Sequence, residues 1–164
     1  MKLKPLVAAA ALALSGVGAQ AASFDWGSHA LLESALAGTA GGFVYDTFSF
    51  SLAETSTVAS SVSAFGTFAP ATYSLFSLGG DGLVGTADDA GVAAWTFGGA
   101  PTVNEVTLSA GNYYYAVFAL ATAAGAYSIN SAAAAVPVPE PETYALMLAG
   151  LGVVGFVARR RKTS

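Results

Sequence analysis

Phe43-Val44-Tyr45-Asp46-Thr47-Phe48-Ser49-Phe50-Ser51-Leu52 reads at period two. Val44, Phe48, Phe50 and Leu52 fall on one face, with polar Thr47, Ser49 and Ser51 opposite. That alternation belongs to a half-buried strand; a helix would gather its apolar residues three and four apart. Downstream, six more short segments carry strand character: 57–64, 72–78, 92–97, 103–108, 113–120 and 126–130. Turns rich in glycine or carrying proline separate them, among them Gly79-Gly80-Asp81-Gly82 and Gly98-Gly99-Ala100-Pro101. Seven strands at this spacing, with no strong helix between them, make an all-β domain: an antiparallel β-sandwich or jelly roll. One short helix is expected ahead of them over 28–37, with Ser28 as N-cap and Gly38 just past its end.

Charge is distributed unevenly around this body. Only 10% of the 164 residues are charged, against about 25% in an average globular domain. All six basic residues lie at the ends: Lys2, Lys4, Arg159, Arg160, Arg161 and Lys162. Between Ala22 and Val138 there is no Lys or Arg, against eight acids. A body without a cation cannot neutralise phosphates, which excludes nucleic-acid binding and attachment through the body to an anionic membrane surface. There is no cysteine, so the fold must be held by its core alone, and the length suits one domain.

The basic ends read as two addresses. At the start, Lys2 and Lys4 precede an apolar run over 6–14, then the small residues Gly16, Gly18 and Ala19-Gln20-Ala21. That is the layout of a signal peptide over 1–22, cut by signal peptidase after Ala21 or Ala22, with Ala19 and Ala21 as the small residues the enzyme requires. The chain is expected to be exported. After a β domain over 23–134, prolines 137, 139 and 141 stiffen a linker over 135–142 into an extended, polyproline-like segment. An apolar run over 143–158 follows, expected to be a single transmembrane helix. At 1.5 Å per residue its length is about 24 Å, short of the roughly 30 Å hydrocarbon core, so it makes a weak anchor. Arg159, Arg160, Arg161 and Lys162 then form a stop-transfer cluster, placed in the cytoplasm over 159–164 by the positive-inside rule.

Pro139-Glu140-Pro141, the apolar segment with Gly150-Leu151-Gly152, and the basic cluster together resemble the PEP-CTERM sorting signal of Gram-negative bacteria, over about 27 residues from Val138 to Ser164. The resemblance implies recognition by exosortase, an integral-membrane, cysteine transpeptidase-like enzyme, with cleavage near Pro139, Glu140 and Pro141. It also implies a transient inner-membrane stage facing the periplasm, a final place at the cell surface or outside it, and an association with exopolysaccharide, biofilm or floc. Within the body, Val44-x-Asp46-x-Phe48 is similar to the opening motif of the FxDxF subgroup of these proteins, with Val44 in place of the first Phe. Leu108-Ser109-Ala110-Gly111-Asn112-Tyr113-Tyr114-Tyr115-Ala116-Val117 and Gly125-Ala126-Tyr127-Ser128-Ile129 are similar to the closing hairpin of bacterial pre-peptidase C-terminal sandwiches.

The body offers little chemistry. His29 is the only histidine, so any Ser-His-Asp triad would have to use it. On a helix His29 and Glu33 would share a face at i, i+4, but two ligands do not make a zinc site. Pairs of acids are present for glycoside hydrolysis, yet none sits in a recognisable motif. The body reads as non-enzymatic and without a resident cofactor. One loop is a candidate for Ca²⁺: Asp81, Asp88 and Asp89 in a Gly-rich turn, against the plainer reading of acids placed there for turn geometry. Tyr113, Tyr114 and Tyr115 alternate faces, so at least Tyr114, or the pair around it, should point outward. Exposed tyrosines could stack on sugar rings, against the alternative of a cross-strand aromatic pair. The function expected is that of an exported surface or matrix protein; the alternative is a small secreted carbohydrate-binding module.

Overall fold

The alternation over 43–52 builds a strand, β3 (Gly42–Leu52), whose inward face buries Val44, Asp46, Phe48, Phe50 and Leu52. The computed structural model describes residues 21–137 and 141–161. Among these, β3 is joined by β1 (Ser23–Ser28), β2 (Leu32–Thr39), β4 (Ser56–Phe65), β5 (Phe68–Ser77) and β6 (Ala90–Thr96). Then come β7 (Asn104–Leu108), β8 (Gly111–Ala121), β9 (Gly125–Ala135) and a helix, α1 (Pro141–Arg161). One sheet has the order β1-β3-β8-β5-β6, the other β2-β9-β4-β7. All seven expected strands are present. β2–β9, β3–β8, β4–β7, β5–β6 and β5–β8 pair antiparallel, whereas β1 runs parallel to β3, which makes the five-stranded sheet mixed.

The helix expected over 28–37 is not formed. Residues 32–39 pair residue for residue with β9, from Leu32 opposite Ala132 to Thr39 opposite Gly125. Tertiary pairing overrides the weak helical preference of this Ala- and Leu-containing stretch. Its inward residues also follow period two, with Ala37 and Thr39 buried and Glu33 and Ala35 half-buried. β1 likewise turns Phe24 and Trp26 onto the core in a strand of only six residues. Both strands close an edge of their sheet.

Aromatic rings fill the space between the sheets. Phe48 meets Tyr127 edge-on at 6.5 Å between centroids, and Tyr73 lies 5.0 Å from Trp95. Phe24 stacks on Phe48 at 4.8 Å, and Phe50 packs on Tyr115 at 5.3 Å. Each large side chain buried in this way stabilises the fold by about 1.5–3 kcal/mol, which is how a chain without cysteine holds together. The phenols that enter the core bring partners with them. Tyr73 Oη donates to the Ser60 carbonyl at 3.3 Å, and the Asn104 amide donates to Tyr73 Oη at 2.7 Å.

The chain divides into two units, residues 1–134 and 135–164. In the second, α1 starts with Pro141 at its first position, where the missing N–H is no loss. Its described side chains, 144–160, are all exposed. No helix among the described residues is long and apolar enough to cross a membrane, which corrects the expectation of a transmembrane helix over 143–158. The apolar run is bounded by Glu142 on one side and the arginines on the other, so α1 reaches 21 residues only by including charge.

Candidate functional site

The outer face of the five-stranded sheet is where polar groups converge. Thr47, Ser49 and Ser51 lie on the outward register of β3, and the loop between β5 and β6 folds over them. Under that loop runs a groove of about 320 Å³, lined by Asp25, Ser49, Ser51, Asn112, Gly82 and Val84 among others. A second hollow of about 470 Å³ lies beside Ala21, Ala22, Tyr45, Thr47, Val84 and Gly85. Asp25 is held in place by hydrogen bonds that its Oδ1 accepts from the Gly27 amide at 2.9 Å and the Ser49 hydroxyl at 3.2 Å. Exposed rings on this face are Phe43, Tyr45 and Phe118, with Phe43 and Phe118 6.1 Å apart.

The three consecutive tyrosines do not supply exposed rings. Tyr113 and Tyr115 face the core, and Tyr114, on the outer face, is only 2% exposed. It stacks on Phe76 with centroids 5.0 Å apart and donates its hydroxyl to Asp89 at 2.9 Å. This is the cross-strand aromatic pair, roofed by a loop. Burial, and then the neighbouring Asp89 carboxylate, push the Tyr114 phenol up to about 12.

That roof is the acidic loop itself. Asp89 Oδ1 accepts from the Gly79 amide at 2.8 Å, and Oδ2 from the Gly85 and Thr86 amides at 2.7 and 3.1 Å. Asp88 accepts from the Thr86 hydroxyl at 2.6 Å and the Asp81 amide at 3.3 Å. Asp81 Oδ1 accepts from the Leu83 amide at 2.8 Å and the Thr86 hydroxyl at 3.3 Å. The Thr86 hydroxyl holds Asp88 below the ordinary carboxylate range, and the Gly79 amide does the same for Asp89. A Cβ on Gly79 would stand 2.2 Å from the Asp88 carboxyl carbon, so glycine is what lets that carboxylate approach. Backbone amides and the Thr86 hydroxyl therefore take part of the acceptor capacity of all three carboxylates. Among the described residues no group of three or more His, Cys, Asp or Glu side chains is arranged to hold a metal ion. The hydrogen bonds show what Asp81, Asp88 and Asp89 do in the folded chain: they fold the loop.

His29 lies between β1 and β2 and is not on a helix with Glu33. Its Nδ1 faces the Ala30 carbonyl, which can only accept, so Nδ1 carries the proton. Nε2 then accepts from the Ser131 hydroxyl at 2.8 Å, and Ser131 accepts from Tyr115 at 3.0 Å. Ser131 is sealed in the core, so this Ser–His pair acts as a relay that satisfies buried polar groups. Glu33 instead accepts from the Ala30 amide at 3.1 Å.

Sequence reasoning missed Asp46. It occupies an inward register position of β3 and is 4% exposed. Oδ1 accepts from the Ala22 nitrogen at 2.7 Å, and Oδ2 from the Tyr127 hydroxyl at 2.6 Å. Burial and this bond raise the Tyr127 phenol far above its ordinary value. The signal was present: an acid placed between Val44 and Phe48 at period two has to turn into the core.

Of the sorting residues, Pro141 opens α1, Arg159 and Arg160 are exposed near its end, and Arg161 closes it. Pro139, Glu140 and Lys162 lie outside the described residues, as do Ala19 and the rest of the expected signal peptide up to residue 20. Ala21 and Ala22 are exposed.

Residues 137–162 match the model of the PEP-CTERM protein-sorting motif. The body is similar to the pre-peptidase C-terminal domain of a collagenase from Bacillus anthracis, with a TM-score of 0.48 and 18% identity. That likeness covers 66% of this chain and 93% of the other. None of the curated proteins compared with the chain matches it.

Proposed function

We propose that this is an exported surface or matrix protein, delivered by signal peptidase at one end and by exosortase at the other. The observation that carries the proposal is the sorting motif over 137–162, with its Pro-Glu-Pro, apolar segment and basic cluster in order. In this reading the apolar segment keeps the chain at the inner membrane only in passing, since a run of about 24 Å is a poor match to a hydrocarbon core of roughly 30 Å. Moving the arginines through hydrocarbon costs several kcal/mol or more, and that pause presents the stiff Pro-rich segment to the membrane-embedded enzyme. The body, a member of the FxDxF subgroup with Val44 in the first place, carries no chemistry of its own and serves the exopolysaccharide or biofilm matrix.

A second reading is a small carbohydrate-binding module. It is favoured by the groove beneath the β5–β6 loop, where Asp25, Ser49, Ser51 and Asn112 offer hydrogen-bonding groups, and by exposed Tyr45 in the second hollow, which shares Val84 with the groove. Polysaccharide pull-down with the exported protein separates the two readings: retention that is lost in Asn112→Ala favours the module. The main proposal is tested in a strain with and without its exosortase. The released form should vanish without the enzyme, with full-length protein collecting in the inner membrane; unchanged release would overturn it.

A further inference from the structure

Asp46 is a buried carboxylate in a domain that has no basic side chain to offer it. Its two oxygens are taken by the Ala22 nitrogen and the Tyr127 hydroxyl, at 2.7 and 2.6 Å. Both donors are neutral in the unprocessed chain, and no Lys or Arg occurs from residue 22 to 138. His29 is committed elsewhere, to Ser131 and the Ala30 carbonyl. A buried charge with only neutral donors is costly, and the usual remedy is a cation at hydrogen-bond distance. Here one can be made. Ala22 carries the backbone nitrogen that Asp46 already holds, and it directly follows the Ala19-Gln20-Ala21 triplet.

We propose that maturation cuts the bond between Ala21 and Ala22, and that the α-ammonium created on Ala22 becomes the counter-ion of Asp46. The proposal rests on the export reading above. In the reaction water adds to the Ala21 carbonyl and the Ala21–Ala22 amide bond breaks. The carboxylate leaves with the leader, and the Ala22 amine takes up a proton. The nitrogen need not move to make the pair, because 2.7 Å is already the length of a charge-assisted N–H···O bond. Its position is fixed from the other side as well: the Ala22 carbonyl accepts from the Thr47 amide at 2.9 Å, and Ser23 begins the parallel pairing with β3 opposite Thr47. The inference selects one of the two bonds that the sequence allows. Cleavage after Ala22 would remove the very nitrogen that Asp46 binds. Ala21 and Ala22 line the hollow beside Tyr45 and Val84, so the new terminus emerges at the surface while its ammonium points at the carboxylate. Removal of the leader thus completes the core.

The experiment uses the full chain, exported from a Gram-negative host with its own leader. N-terminal sequencing and mass of the purified product should give Ala22 as the first residue. Carbamylation by cyanate, read on the N-terminal peptide, should be at least about tenfold slower in the native protein than in denaturant, the change expected from raising the amine by one pKa unit. Asp46→Asn, which keeps shape but removes the charge, should abolish that protection; if this variant does not reach the periplasm folded, the wild-type rates decide alone. A product that keeps its leader would overturn the export reading along with the pairing. A first residue of Ser23 or later, or an amine as reactive in the native protein as in denaturant, would overturn the pairing and leave export standing.

Discussion

The body and the tail of this chain solve opposite problems. In the body, among the described residues, every buried side-chain nitrogen and oxygen has a hydrogen-bond partner. Asp46, Tyr115, Tyr127 and Ser131 are all spent on one another, on His29 or on nearby backbone. The tail does the reverse: the described side chains of α1 are exposed, and its information lies in the order of residue types along 137–162. A motif carried by residue types in order along the chain is legible in the sequence itself. A folded surface is read as shape, and shape is assembled from residues distant in the chain.

The contrast can be broken most sharply in the tail. Glu140→Ala should leave export intact and stop release, an all-or-none change visible as full-length protein in inner-membrane fractions. Deleting residues 159–162 should instead weaken retention before processing, because no cations would then resist passage through hydrocarbon.

In the body the largest expected effect is on stability. Asp46→Ala leaves Tyr127 and Ala22 without their acceptor, at a cost of about 3 kcal/mol. For a domain of this size that corresponds to a fall of roughly 10 °C in Tm, measured by thermal unfolding followed by circular dichroism. A change under about 2 °C would mean that the buried carboxylate is incidental.

Smaller effects follow pH. Tyr114 rises from the ordinary 10.0 to about 12 in the folded chain. A raised folded value means stability that is fully present below the unfolded value and lost as pH climbs through the folded one. The protein should therefore lose stability between about pH 10 and 12, and Tyr114→Phe should flatten part of that decline. Asp88 and Asp89 are lowered from 3.8, so their contribution is present above that value and fades as pH falls through the lower folded ones. Urea midpoints across both limits check the two signs.

The smallest effect sharpens the account of the acidic loop. Millimolar Ca²⁺ should leave Tm unchanged, and Asp88→Asn with Asp89→Asn should lower Tm equally with and without the ion. A calcium-dependent rise in the wild type alone would make the loop a binding site.

How much of this could be read in advance followed from the range of the forces involved. The strands from β3 to β9 were legible because period-two alternation and glycine turns are local signals. β1 and β2 were not, since 32–39 is a strand only because β9 lies beside it, and Ser28, Glu33 and Gly38 mimic a capped helix. The tyrosine run was legible as strand but not as covered surface, because the loop that roofs Tyr114 lies 25 residues away at Asp89. Asp46 was within reach of the alternation rule. Its partner Tyr127 lies 81 residues off, beyond any local pattern.

The central claim is that exosortase removes the tail, and mass spectrometry of the protein recovered from the cell surface tests it most directly. The expected C-terminus lies near Pro139, Glu140 and Pro141, with no peptide containing Arg159. A surface form that still carries Arg159, in a strain with active exosortase, would contradict it.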